Sequence, residues 1–280
     1  MRFQLAIRAI SAAVLVTLLI GLAGVILFDK PMPVGSQVDL YWAKTIVTGR
    51  REETRPPGLA DGLLKVLQQV SGDPTIAGDP RVAELRVKAA DYVRSYGYRD
   101  RMEGIPIHDG QGTRDRPYDL TAEFHPEKID AALSALGRKP WPAPRSVILV
   151  YLAVRFEDNS YILTNDTELG FDQRESFLSA AWQAGLPILL PESAVVDDAR
   201  LAAEKLWAGS PDELASLARG EKLLVGTIQW NKSMRGWAAD WQLYENAKWH
   251  HWQIRNVNFD EAFRNALSGA AQILSGNGEP

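Results

Sequence analysis

The chain has 280 residues, with 31 basic against 35 acidic side chains and no cysteine. A pI of about 5.7 argues against the basic stripe that a nucleic-acid surface needs, and the missing thiols exclude disulfides, thiol catalysis and thiolate metal sites. Hydrophobic residues at 46% and charged residues at 24% make an ordinary globular composition, with room for two small domains.

Arg2 and Arg8 precede an uncharged apolar run over residues 9–28, and Asp29 follows it. Such a run is long enough to cross a bilayer as one helix. Positive charge before it and an acid after it orient the amino terminus inward and the bulk of the chain outward. Residues 1–29 are therefore expected to be a single-pass signal-anchor in the cytoplasmic membrane, with the remainder in the periplasm. The alternative is a cleaved signal. Gly21-Leu22-Ala23 is a small-x-small site. Cleavage near Ala23 would leave a soluble periplasmic chain with an apolar start.

Residues 30–37 read as a linker. Residues 38–47, rich in β-branched and aromatic side chains, read as a strand. Pro56-Pro57-Gly58 opens a helix whose apolar positions Leu59, Leu63, Val66, Leu67 and Val70 follow the 3.6-residue period. Asp79-Pro80 starts a second helix, with an inward stripe at Val82, Leu85, Ala89, Val93 and Tyr96. A polar loop spans 104–117. Tyr118, Leu120, Ala122 and Phe124 alternate as in a half-buried strand, and residues 126–136 form a third helix closed by Gly137.

Three prolines within residues 138–145 mark a stiff linker between halves. The continuous apolar run 146–154 suits a strand buried on both faces, with 161–163 as a hairpin partner. A helix over 171–184, a short buried strand at 187–190 and an amphipathic helix over 198–207 follow. Ser210-Pro211-Asp212-Glu213 is a capping box. Residues 223–228 read as another buried strand, and 236–244 and 248–257 as an antiparallel pair. Asn258 caps the last helix. The expected organisation is α+β or α/β. It comprises the membrane helix, a small α+β domain at 38–137, a mixed-sheet αβ domain at 146–275 ending in a β-meander and a helix, and a tail at 276–280.

Several stretches in order resemble a proteobacterial envelope family known as domain of unknown function 2066. They are Leu63 to Asp73, Asp79 to Tyr98, Ile129 to Leu133, Trp141 into Val147 to Leu152, Gly185 to Pro191, Leu206-Trp207, Leu224 to Gly226 and Gly236 to Trp241. The resemblance implies an exported, envelope-facing protein with no assigned activity and no catalytic residues to carry over. The chain departs from that family in its long apolar amino terminus.

Motifs for chemistry are sparse. His250 and His251 are adjacent on a strand, so they point to opposite faces and cannot chelate one ion together. His108 and His125 are the other histidines. Asp197-Asp198 is expected at a helix start, where acids favour the dipole, and Glu52-Glu53 beside Arg50-Arg51 in a solvated turn. Gly110-Gln111-Gly112 sits in a loop without the strand and helix of a dinucleotide fingerprint. No catalytic, cofactor-binding or metal residue is assigned, and no cofactor is implied.

Nine tryptophans are present, and Trp230, Trp237, Trp241, Trp249 and Trp252 crowd the last strands. Trp237 and Trp241 share one face, while Trp249 and Trp252 face opposite sides. One set fills a core, and the other is a candidate interaction surface. The leading expectation is a non-enzymatic, membrane-anchored envelope protein that binds a protein partner. A small-molecule or glycan binder using the carboxyl ends of the second-half strands is the alternative. A carboxylate-based hydrolase comes third.

Overall fold

The computed structural model describes residues 39–105, 115–198, 201–218 and 221–280. The readings of residues 9–28, the site at Ala23, the linker 30–37, His108 and Gly110-Gln111-Gly112 lie outside the described residues. Among those described, no helix is long and apolar enough to cross a membrane.

The first sheet has three antiparallel strands, β1 (Trp42–Thr48), β2 (Val93–Asp100) and β3 (Pro117–Phe124), in the order β1-β3-β2. Helix α1 (Arg55–Ser71) starts at a proline pair and ends where Gly72 turns left-handed. It lays Leu59, Leu63, Val66, Leu67 and Val70 onto the sheet, all buried as their spacing predicts. Helices α2 (Pro80–Val87) and α3 (Pro126–Ala135) complete this layer, with Ile129 and Leu133 closing the core over Leu120 and Phe124.

Two expectations need correction here. β1 starts at Trp42 rather than residue 38, because the Asp39 carboxylate accepts from the Tyr41 amide and holds a turn. The second helix stops at Val87, and a 3-10 turn at Ala89–Tyr92 leads into β2. Lys88 leaves helical geometry at φ −102° and ψ 20°. Tyr96 and Tyr98 then pair with Ala122 and Leu120 of β3, and the Tyr98 ring meets Tyr118 edge-on at 6.3 Å. Cross-strand aromatic packing overrides the helical spacing that Val93 and Tyr96 happen to keep.

The second sheet is mixed. Strands β4 (Ile148–Phe156), β5 (Asn159–Ile162), β7 (Lys222–Asn231), β8 (Gly236–Glu245) and β9 (Lys248–Val257) lie in the order β5-β4-β7-β8-β9. A short β6 (Ile188–Leu189) pairs with β4. β4 runs parallel to β6 and β7, and the other pairings are antiparallel. Helices α4 (Phe171–Gln183) and α8 (Phe259–Leu274) bury one face. The opposite face is covered by α6 (Ala203–Ala208) and α7 (Pro211–Ala215), which follow α5 (Ser193–Asp198). This bears out the α+β class.

The amphipathic run at 198–207 is not one helix. Extended Ala202, at ψ 148°, separates α5 from α6 and lets Ala203 and Leu206 reach the sheet. The strand at 187–190 shortens to two residues, with Leu189 exposed at the sheet edge. Both capping predictions hold. Ser210 and Glu213 exchange their reciprocal bonds, and the Asn258 side chain accepts from the Glu261 amide at 2.8 Å.

The two sheets belong to one compact unit. Arg145, on the proline-rich segment, joins them. Its Nη1 donates to the carbonyls of Ala184 (3.1 Å) and Gly185 (3.0 Å) at the end of α4. Its Nη2 donates to Gln69 O (2.7 Å) in the last turn of α1 and to Trp141 O (3.0 Å). Carbonyls at a helix end lack intrahelical donors and carry partial negative charge, so one cation serves two helix ends. The guanidinium lies 3.9 Å over the Trp141 ring. Burial pushes Arg145 down to about 10, and it remains charged at neutral pH. Gly185 has φ +65°, and a Cβ there would stand 2.6 Å from Arg145 Nη1. A side chain would be strained in this backbone and would displace the cation. Trp42 of β1 packs on Trp182 of α4 at 4.6 Å. Ser275 Oγ donates to Gly72 O and Asn277 Nδ2 to Ser71 O.

Candidate functional site

The five tryptophans do not form one exposed patch. Trp237, Trp241 and Trp252 are buried, and Trp230 and Trp249 are half-buried. Trp237 and Trp241 do share a face, as their spacing requires, and both fill the core under α8. Trp252 joins them and donates from Nε1 to Asn265 O at 3.3 Å. Trp249 points to the other face and packs against Tyr244 at 4.9 Å, with the cluster under α6 and α7. Trp241 has its ring over Gly226 of β7, directly across the ladder. A glycine inside an apolar strand marks such a close approach, and this signal was present in the sequence.

Trp230 is different, because it lies where the parallel strands finish. Its ring centroid is 6.0 Å from Phe156, the last residue of β4, and 5.6 Å from Trp237, the second residue of β8. Phe156 also meets Trp237 at 5.9 Å, and Trp237 meets Phe259, the first residue of α8, at 6.4 Å. Strand ends and a helix start thus bring four aromatic rings together. Phe156 remains 44% exposed, and Met234, on the turn after Trp230, 53% exposed. Asn231 holds that turn by accepting from Ser233 Oγ (2.7 Å) and the Met234 amide (3.1 Å). Helix α4 begins at the same end as α8. Ser176 bonds to Asp260, and Phe177 meets Phe263 at 5.1 Å. The first residue of α4, Phe171, is half exposed. The carboxyl ends of β4 and β7, where the sequence suggests a ligand cleft, therefore carry an aromatic, partly exposed apolar end.

The titratable candidates are dispersed. His250 is buried and its Nδ1 lies 2.8 and 3.0 Å from the two Glu279 oxygens, while His251 is exposed on the opposite face. The His250 contact holds the Glu279 carboxyl below its usual range. His125 pairs with Glu127 at the start of α3, beside the first sheet. Among the described residues, no group of three or more histidines and carboxylates is placed to hold a metal.

Asp197 and Asp198 sit in the last turn of α5, not at a helix start. The start is Ser193, whose amide and hydroxyl donate to Asp166 at 2.9 and 2.8 Å. These bonds, the hydroxyl's first, hold the Asp166 carboxyl below its ordinary value. The capping acid comes from a distant loop, which local spacing cannot reveal. Glu52 and Glu53 lie in an exposed 3-10 turn beside the Arg51–Asp115 ion pair, as expected.

No curated protein matches the chain. Residues 36–142 match a family described as "Domain of unknown function (DUF8605)", a stretch that takes in the first sheet with α1 to α3 and stops one residue after Trp141.

Proposed function

We propose that this chain is a non-enzymatic cell-envelope protein that acts as a protein-interaction module. It is tethered to the cytoplasmic membrane through residues 9–28, with its bulk in the periplasm. The observation that carries the reading is the aromatic end, where exposed Phe156 packs beside the half-buried ring of Trp230 and exposed Met234 stands on the turn that follows. Large apolar groups clustered in the open mark contact surfaces, and tryptophan is enriched at their energetic centres. The order of segments resembling the exported family supports the envelope placement. The partner is an envelope or membrane protein that presents an apolar segment to this end.

The test places a photoreactive phenylalanine analogue at position 156, at 234, or at the remote and highly exposed position 87, in the full chain in intact cells. The reading expects one and the same stoichiometric partner from 156 and 234, and none from 87. Absence of a product at 156 and 234, or the same products from all three positions, would overturn it.

A further inference from the structure

Helices α1, α4 and α8 leave a cavity of about 300 Å³ between the two sheets' layers. Its walls come from Lys65 and Gln68 of α1, Ala180 and Ala184 at the end of α4, and Arg264 and Ala271 of α8. The volume lies at the small end of the range for sites that hold organic ligands. Alanines on the facing helices leave the floor apolar and open.

The charges are arranged unusually. Lys65 and Arg264 stand on different helices and face one space. Lys65 Nζ donates to Lys44 O at 2.9 Å, which leaves two of its hydrogens available. Asp61, one turn earlier, is engaged by Arg86. Arg264 makes no side-chain hydrogen bond or ion pair with any described residue. Burial pushes the Lys65 ammonium below its ordinary range, Asp61 opposes this, and Arg264 adds to it. Lys65 and Arg264 repel each other beside an apolar hollow, Asp61 offsets the charge of Lys65 alone, and an anion between the two cations would relieve the repulsion.

We infer that the cleft between α1, α4 and α8 is a binding site for a small organic anion. Its carboxylate or phosphate head would bridge Lys65 and Arg264, and its apolar body would rest on Ala180, Ala184 and Ala271. The cations set the charge of the ligand. A guanidinium takes a carboxylate or a phosphate in a two-pronged bond, and the ammonium adds a point charge. The small side chains set its size. Nothing in this inference depends on the aromatic end, since neither Phe156, Trp230 nor Met234 lines the cleft.

The experiment follows alanine methyl resonances of the full chain in detergent micelles during titration with five probes. Benzoate and phenyl phosphate carry both parts of the ligand. Benzyl alcohol lacks the charge, benzylamine reverses it, and inorganic phosphate lacks the body. Benzoate or phenyl phosphate is expected to shift Ala180, Ala184 and Ala271, and to bind about tenfold tighter than benzyl alcohol, the size of one charge-assisted hydrogen bond. Arg264→Gln changes an exposed side chain and should weaken both anions by a similar factor without disturbing the fold. Equal binding of benzyl alcohol or benzylamine, equal binding of inorganic phosphate alone, an unchanged Arg264→Gln variant, or no shift at all would each overturn the inference.

Discussion

Asp73 is a small example of how this fold spends its charges on structure. Its side chain is almost wholly buried at the junction of α1 and the following 3-10 turn. Oδ1 accepts from the amide (2.9 Å) and hydroxyl (2.6 Å) of Thr75, and Oδ2 from Arg138 Nε at 2.6 Å. Burial alone would raise its pKa. The Thr75 hydroxyl, Arg138 and the Thr75 amide outweigh that and leave it lowered. A depressed folded value means that Asp73 stabilises fully above its unfolded value of about 4 and loses this contribution as pH falls through the folded one. Asp73→Asn should therefore cost about 2 kcal/mol at pH 7, and the gap to the parent should narrow toward pH 3, as read by urea unfolding at both pH values. A gap of constant size would show that packing, not charge, is what Asp73 supplies. The sequence shows Ser71-Gly72-Asp73-Pro74 as a helix stop. It does not show Arg138, because that partner comes from the segment after α3, 65 positions away.

At the scale of elements, legibility follows locality. Asn258 before α8, Ser210 before α7 and the prolines opening α1, α2 and α3 act within one turn of themselves, so each start could be read directly. β2 was not legible. Its Val93 and Tyr96 keep helical spacing with Val82 and Leu85, and only pairing with β3 gives them another use. The Trp230 end and the Lys65–Arg264 cleft were not legible either, because each gathers side chains from elements far apart in the chain. The face shared by Trp237 and Trp241 was legible, since strand alternation fixes it, but the ring's seat on Gly226 needed the neighbouring strand. A Cβ at position 226 would lie 2.2 Å from Trp241 Cζ3 and 2.9 Å from Leu152 Cδ1. Trp241 is fully buried and has nowhere to move. Gly226→Ala should destabilise by about 3 kcal/mol, the upper end of ordinary overpacking. The expected signature is a lower urea midpoint with an unchanged m-value. A midpoint that stays put would mean that β7 and β8 can part without loss.

Across the whole molecule, the two sheets have separate apolar cores but share their helix ends. Arg145 supplies four hydrogen bonds to carbonyls from both layers, with no carboxylate among its acceptors. Removing it leaves several buried carbonyls without a donor, which is far costlier than losing an exposed ion pair. In the parent, amides of β1–β3 and of β7–β9 should become exchangeable at the same denaturant concentration, as one cooperative unit. With Arg145→Gln they should separate into two transitions. Coincident opening in the variant would assign the coupling to Trp42 and Trp182 instead.

The bonds from Ser275 to Gly72 and from Asn277 to Ser71 span 203 and 206 positions of the chain. Synthesis runs from the amino terminus, so β1, α1, β2, β3 and α3 exist long before those donors do. The first layer can assemble early, yet the carboxyl end of α1 keeps bare carbonyls until nearly all of the second layer has been made. A nascent chain halted in between would carry an open helix end and a Trp141 side chain without the second core that it packs against. That interval is a natural period of vulnerability to proteolysis and of recognition by chaperones.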